Sequence, residues 1–165
     1  MKNIAVTVIV GFITGLVISG ILFDVIKYVG KSFNRVSVSW DISKAEKAYS
    51  NGRFSDSVLI YKKTLPKIGS DNKILLAKTK NNLALAMLKE IEIGKNIDFS
   101  DNSDNIKNFS DISSDSNALL EIKDVLDLLN QANDLYIEIG STEFSAQTVK
   151  NIQIIETFLS KIKKS

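Results

Sequence analysis

Asp101, Ser103 and Asn105 set oxygen-bearing side chains at alternate positions, which is how a calcium-binding EF-hand loop begins. The glycine at the sixth position and the closing glutamate of such a loop are both missing, so a solvated loop is the expected state. Asp and Glu are plentiful elsewhere, but their spacing suits the outer faces of helices. The chain has no His and no Cys. That removes the commonest transition-metal ligands and the commonest acid–base catalyst, together with any disulfide framework. No glycine-rich phosphate loop and no nucleophile motif occurs, so the expected protein is not an enzyme and carries no cofactor and no metal. A net charge of +2 over 165 residues gives no global field to gather nucleic acid. The chemistry that remains is recognition, and it depends on which elements present the polar side chains.

Those elements are helices. One Pro and eight Gly in the whole chain suit helical structure, and no stretch alternates with period two for long. A first helix is expected from Asp41 to Ser50, with Ile42, Ala45, Ala48 and Tyr49 on one side. Asn51-Gly52-Arg53 is a turn, because Asn-Gly tolerates left-handed backbone. Ser55 is the expected cap of a second helix, with Asp56 in its first turn. That helix carries Val58, Leu59, Tyr61 and Leu65 at apolar spacing and closes at Pro66 and Gly69. A longer helix starts at Asp71 or Asn72 and runs through about Glu92, with Gly94 marking its end. Its stripe is Ile74, Leu76, Ala77, Leu83, Ala84, Met87, Leu88 and Ile91. A fourth spans Ala118 to about Ile139 with Leu119, Ile122, Val125, Leu126, Leu129, Ala132 and Tyr136. Gly140 breaks the chain, and Ser141 or Thr142 caps a last helix bearing Phe144, Val149, Ile152, Ile155, Phe158, Leu159 and Ile162.

The segment KAYSNGRFSDSVLIYKKTL, residues 47–65, places small residues, a permissive turn and large docking residues in the order a close helical hairpin needs. It resembles a tetratricopeptide repeat over about residues 41–69, close to one repeat unit. It departs from that family at Ser57 and Thr64, where alanine is usual, at Gly69, near a usual proline, and at Lys44, which replaces an apolar residue. NNLALAMLKEI, residues 81–91, resembles the first helix of such a unit. AKTKNNL (77–83) and AQTVKNI (146–152) share the pattern A-x-T-x-x-N-[LI]. One hairpin cannot bury its own apolar face, so neighbours must stack. The fold class expected is all-α: an N-terminal transmembrane helix followed by a short tetratricopeptide-like stack of about five helices, the last acting as a cap.

Ile4 to Phe23, IAVTVIVGFITGLVISGILF, is twenty residues without a charge. As a helix it covers about 30 Å, the hydrocarbon thickness of a bilayer. No small-x-small cleavage site follows Phe23, so a single-pass anchor in the cell membrane is expected in preference to a cleaved leader. Lys27, Lys31 and Arg35 beyond the span, against Lys2 before it, lean slightly toward a cytoplasmic soluble domain. Gly11, Gly15 and Ser19 recur every four residues, a spacing that permits a homodimer through close helix contact, although Gly and Ser are frequent in membrane helices in any case. The Lys/Asn/Ile bias, without an arginine-rich transit segment, leans toward a bacterial source.

The expected division is a tail at 1–3, the span at 4–23, a juxtamembrane linker at 24–40, three helices over 41–93, an acidic insertion at 94–117, and the fourth and capping helices over 118–165. The insertion, GKNIDFSDNSDNIKNFSDISSDSN, holds five Asp against Lys95 and Lys107, a composition too polar to offset ordering entropy. Its Phe99, Ile106, Phe109 and Ile112 are free to fold back onto the helices or to grip a partner.

In tetratricopeptide proteins the first helix of each pair lines a concave groove for an extended peptide. The resemblance therefore implies that Tyr49, Lys78, Asn81, Asn82, Leu85, Lys150 and Asn151 face such a groove. Asn side chains both donate to and accept from a peptide backbone, and Lys78 and Lys150 suit a carboxylate. The expected partners are a protein or peptide and the lipid bilayer, and the expected role is a membrane-anchored adaptor or scaffold. The alternatives are a structural subunit of a membrane complex and a secreted repeat protein with a cleaved leader.

Overall fold

Gly52 and Gly140 both adopt a φ of 71°, and Asn96 a φ of 52°. This left-handed backbone ends three helices in the same way. Gly52 N–H donates to Tyr49 O at 3.0 Å and Arg53 N–H to Ala48 O at 2.9 Å. Gly140 N–H donates to Ile137 O at 3.0 Å and Ser141 N–H to Tyr136 O at 2.8 Å. Asn96 N–H donates to Ile93 O at 3.4 Å and Ile97 N–H to Glu92 O at 2.9 Å. These paired bonds satisfy the last carbonyls of a helix and turn the chain sharply.

The structure is a computed structural model that describes residues 36–97, 99, 112 and 114–163. The chain divides into two units, Met1–Ser39 and Trp40–Ser165, and only residues 36–39 of the first are described. The expected anchor at Ile4–Phe23, with Gly11, Gly15 and Ser19, lies outside the described residues. So does most of the acidic insertion, including Asp101, Ser103 and Asn105. Among the described residues no helix is long and apolar enough to cross a membrane.

Every element among the described residues is helical, so the fold is all-α. Helix α1 covers residues 36–50, α2 Phe54–Thr64, α3 Lys73–Lys95, α4 Ser116–Glu138 and α5 Thr142–Ile162, with a 3-10 turn at Leu65–Lys67 after α2. In chain order α2 packs on α3, α3 on α4 and α4 on α5.

Side-chain pairs fix the directions. Lys73 pairs with Glu138, Lys80 donates to Gln131, and Lys95 pairs with Asp115 at 2.5 Å. As the number rises on α3 it falls on α4, so the two rods are antiparallel despite the long connection between them. Asn133 accepts from the Ser145 hydroxyl at 2.7 Å, and the Tyr136 and Phe144 rings stack at 5.4 Å, which makes α4 and α5 a second antiparallel pair. In the first hairpin the Ser57 hydroxyl donates to Ala45 O at 2.9 Å, and the Tyr49 and Phe54 rings meet edge to face at 5.1 Å. Lys67 reaches back to Asp41 at 2.7 Å.

One core runs through these hairpins. It holds Ala45, Val58, Tyr61, Leu83, Ala84, Met87, Ile122, Val125, Leu129, Ile155 and Phe158. A smaller cluster of Ala77, Ala132 and Tyr136 sits apart from it. Ile97, Phe99 and Ile112 of the acidic insertion are buried in the main core, and the Phe99 ring meets Phe158 edge to face at 4.5 Å. The apolar residues at both edges of the insertion therefore fold back onto the helices.

Some local expectations are corrected. The helix expected from Asp41 already includes residues 36–40, since VSVSW holds no Gly or Pro to stop it. Ser55 is not the cap of α2: Arg53 occupies that position without a side-chain cap bond, and the helix starts at Phe54. Leu59 is 69% exposed. It lies about 100° round the helix from Val58, and Ser57, Val58, Tyr61 and Thr64 complete the buried face without it. Ile74 is also exposed. Gly94 lies within α3, because the left-handed residue that ends the helix is Asn96.

Candidate functional site

Side chains of α1 and α3, with one from α2, share a cleft, and α3 in turn meets α5. Between α1 and α3 lies a cleft of about 130 Å³ lined by Glu46, Tyr49, Tyr61, Asn82 and Leu85. Glu46 and Tyr49 are three apart on α1, and Asn82 and Leu85 three apart on α3, so each pair shares a helix face. Tyr61 comes from α2 and is only 1% exposed. Burial pushes its hydroxyl up to about 12; hydrogen bonding with the Asn82 side chain opposes the rise, and the negative charge of Glu46 adds to it. The Tyr61 hydroxyl therefore stays protonated at neutral pH. The Tyr49 ring is half-buried, held edge-on by Phe54.

The site continues from α3 to α5. Asn81 Nδ2 donates to Asn82 Oδ1 at 3.4 Å, and Asn81 Oδ1 lies 3.3 Å from the Thr148 hydroxyl. That hydroxyl donates to the Phe144 carbonyl at 2.8 Å. Lys78 Nζ stands 4.9 Å from the centre of the Phe144 ring, within the range of cation–π attraction. Asn81 thus links the cleft residue Asn82 to α5. Thr79 and Thr148, the shared threonines of the repeated pattern, are both buried; Thr148 has hydroxyl partners, whereas the Thr79 hydroxyl has none among the described residues.

Of the seven residues expected on this face, Tyr49, Asn82 and Leu85 meet in the cleft, and Lys78 and Asn81 reach α5. Lys150 is exposed and Asn151 half-buried on α5, and no hydrogen bond or ring contact joins them to the others among the described residues. Glu46 and Tyr61 were not anticipated. A lone Glu on α1 has the look of solvated surface, and Tyr61 reads as core from its spacing. The available signal for Glu46 was its three-residue offset from Tyr49. Among the described residues no three carboxylates gather as a metal site requires.

The described chain is an all-α series of antiparallel hairpins with one polar-and-aromatic cleft between its first and third helices. Comparisons with family models, curated proteins and solved structures find no match.

Proposed function

We propose that this protein is a membrane-tethered adaptor of tetratricopeptide-like build, which holds an extended segment of a partner protein along the face shared by α1, α3 and α5. The observation that carries the reading is the cleft of Glu46, Tyr49, Tyr61, Asn82 and Leu85 between α1 and α3. An extended segment has unpaired backbone groups, and Asn side chains answer both donors and acceptors. The uncharged run Ile4–Phe23 supplies the tether, which raises the effective concentration of the domain near membrane partners; a cytoplasmic domain is the favoured side.

The runner-up is a structural subunit of a membrane complex. It draws support from Leu59, Ile93, Leu120 and Ile137, large apolar side chains that are each well exposed and line no part of the cleft. Affinity capture of the full chain from its own membranes separates the two readings. Under the adaptor reading, Asn82→Ala and Leu85→Arg release the captured partner while Leu59→Arg keeps it. The opposite pattern favours the structural subunit.

A further inference from the structure

The lining of the cleft between α1 and α3 includes the Glu46 carboxylate, which holds no ion pair among the described residues. Asp41, Asp56, Glu92, Asp115 and Glu138 each hold an ion pair. Glu46 is exposed and has none among the described residues. The rest of the lining is two phenol rings, the aliphatic Leu85 and the Asn82 amide. About 130 Å³ is well below the ~300 Å³ at which drug-sized ligand sites begin, so the space suits one side chain of a larger partner.

The charge decides which side chain. An acidic one would meet Glu46 with like sign. A purely apolar one would cover the carboxylate and leave it unpaired, which costs desolvation. A lysine or arginine suits this lining: its stem can lie along Leu85 and its head can reach Glu46. Toward α5 the neighbouring charge on α3 is Lys78, whose ammonium stands 4.9 Å from the centre of the Phe144 ring.

We infer that the cleft takes a lysine or arginine side chain of an extended partner segment, with Glu46 as counter-charge and Tyr49 and Tyr61 as ring walls. The inference rests on the reading of this face as a peptide groove. It sets the direction of the segment, with the basic residue beside Glu46 and an acidic residue toward Lys78.

The test is selection of a phage-displayed random hexapeptide library on the full-length protein in lipid nanodiscs. Wild type, Glu46→Gln and Glu46→Lys are compared, with helix content checked by circular dichroism. The expected result is Lys or Arg enriched at one position on wild type, by about fivefold over Glu46→Gln, and Asp or Glu favoured there on Glu46→Lys. Enriched peptides without a basic preference, or with one unchanged in Glu46→Gln, overturn the inference and leave the groove standing. Failure to enrich any peptide on wild type removes the groove and this inference together.

Discussion

The Ser57 hydroxyl donates to the Ala45 carbonyl across the first hairpin at 2.9 Å, and both residues are fully buried. Ala45 and Ser57 lie where α1 and α2 cross closely, a place that admits only small side chains. The hydroxyl is tolerated there because it finds an acceptor on the facing helix. Thr64 meets the same problem within its own helix, donating to Ile60 O at 2.8 Å. Two polar residues thus stand at positions where the repeat family usually has alanine, each with its hydrogen bond made.

Ser57→Ala is therefore expected to be mild, costing about 1 kcal/mol, because it removes one hydrogen bond and leaves the helical bonding of Ala45 in place. Ser57→Val has no room and loses the bond, and is expected to cost about 2 kcal/mol or more. Thermal unfolding of the full chain followed by circular dichroism checks both. A larger loss for Ala than for Val would contradict the close crossing.

Acid sensitivity should come in part from Asp115. The Lys95 ammonium beside it, and then the backbone N–H of Ala118 at the start of α4, hold its carboxyl below the usual carboxylate range. A carboxyl depressed in the folded state contributes stability above its unfolded pKa, about 3.9, and loses it as pH falls through the folded value. Asp115→Asn keeps a capable N-cap but removes the charge. The wild type is expected to be the more stable at pH 6, with the difference shrinking below about pH 4. A difference that is constant from pH 6 to pH 3 in unfolding midpoints would count against this pairing.

Phe99 marks the point where the acidic insertion is pinned. It is 4% exposed and meets Phe158, itself 3% exposed. Phe99→Ala should destabilise the chain by about 3 kcal/mol. Replacing the polar residues 100–105 by a Gly/Ser run of equal length should change the unfolding midpoint less than Phe99→Ala does, because none of the six carries an apolar side chain to bury. Equal effects of the two changes in chemical denaturation would show that Phe99 is not an anchor.

What the sequence made legible, and what it did not, divides along physical lines. Gly52 and Gly140 were readable as helix ends, since left-handed backbone is where glycine has its advantage. The antiparallel hairpins followed from the short links at those glycines. The face of Leu59 was not readable, because spacing gives an apolar stripe but neighbours decide how much of it is covered. Ser57 and Thr64, buried hydroxyls, took a place that an apolar count assigns elsewhere. Gly94 misled because a glycine inside a helix costs only about 1 kcal/mol, while Asn96 supplies the turn. In the cleft, Tyr49, Asn82 and Leu85 came from the family resemblance. Glu46 stayed hidden because an acid on a helix is usually solvated, and its place in the cleft lining is visible only in three dimensions.

Partner binding along the face of α1, α3 and α5 is open to direct capture. The most direct measurement places the photo-crosslinking amino acid p-benzoylphenylalanine at Tyr49 in the full chain, in its native membrane, and at Leu59 on the outer side of α2 as reference. A discrete crosslinked protein is expected from Tyr49, weakened by Glu46→Lys, and none from Leu59. A product from Leu59 with none from Tyr49, or a Tyr49 product indifferent to Glu46→Lys and Asn82→Ala alike, would contradict it.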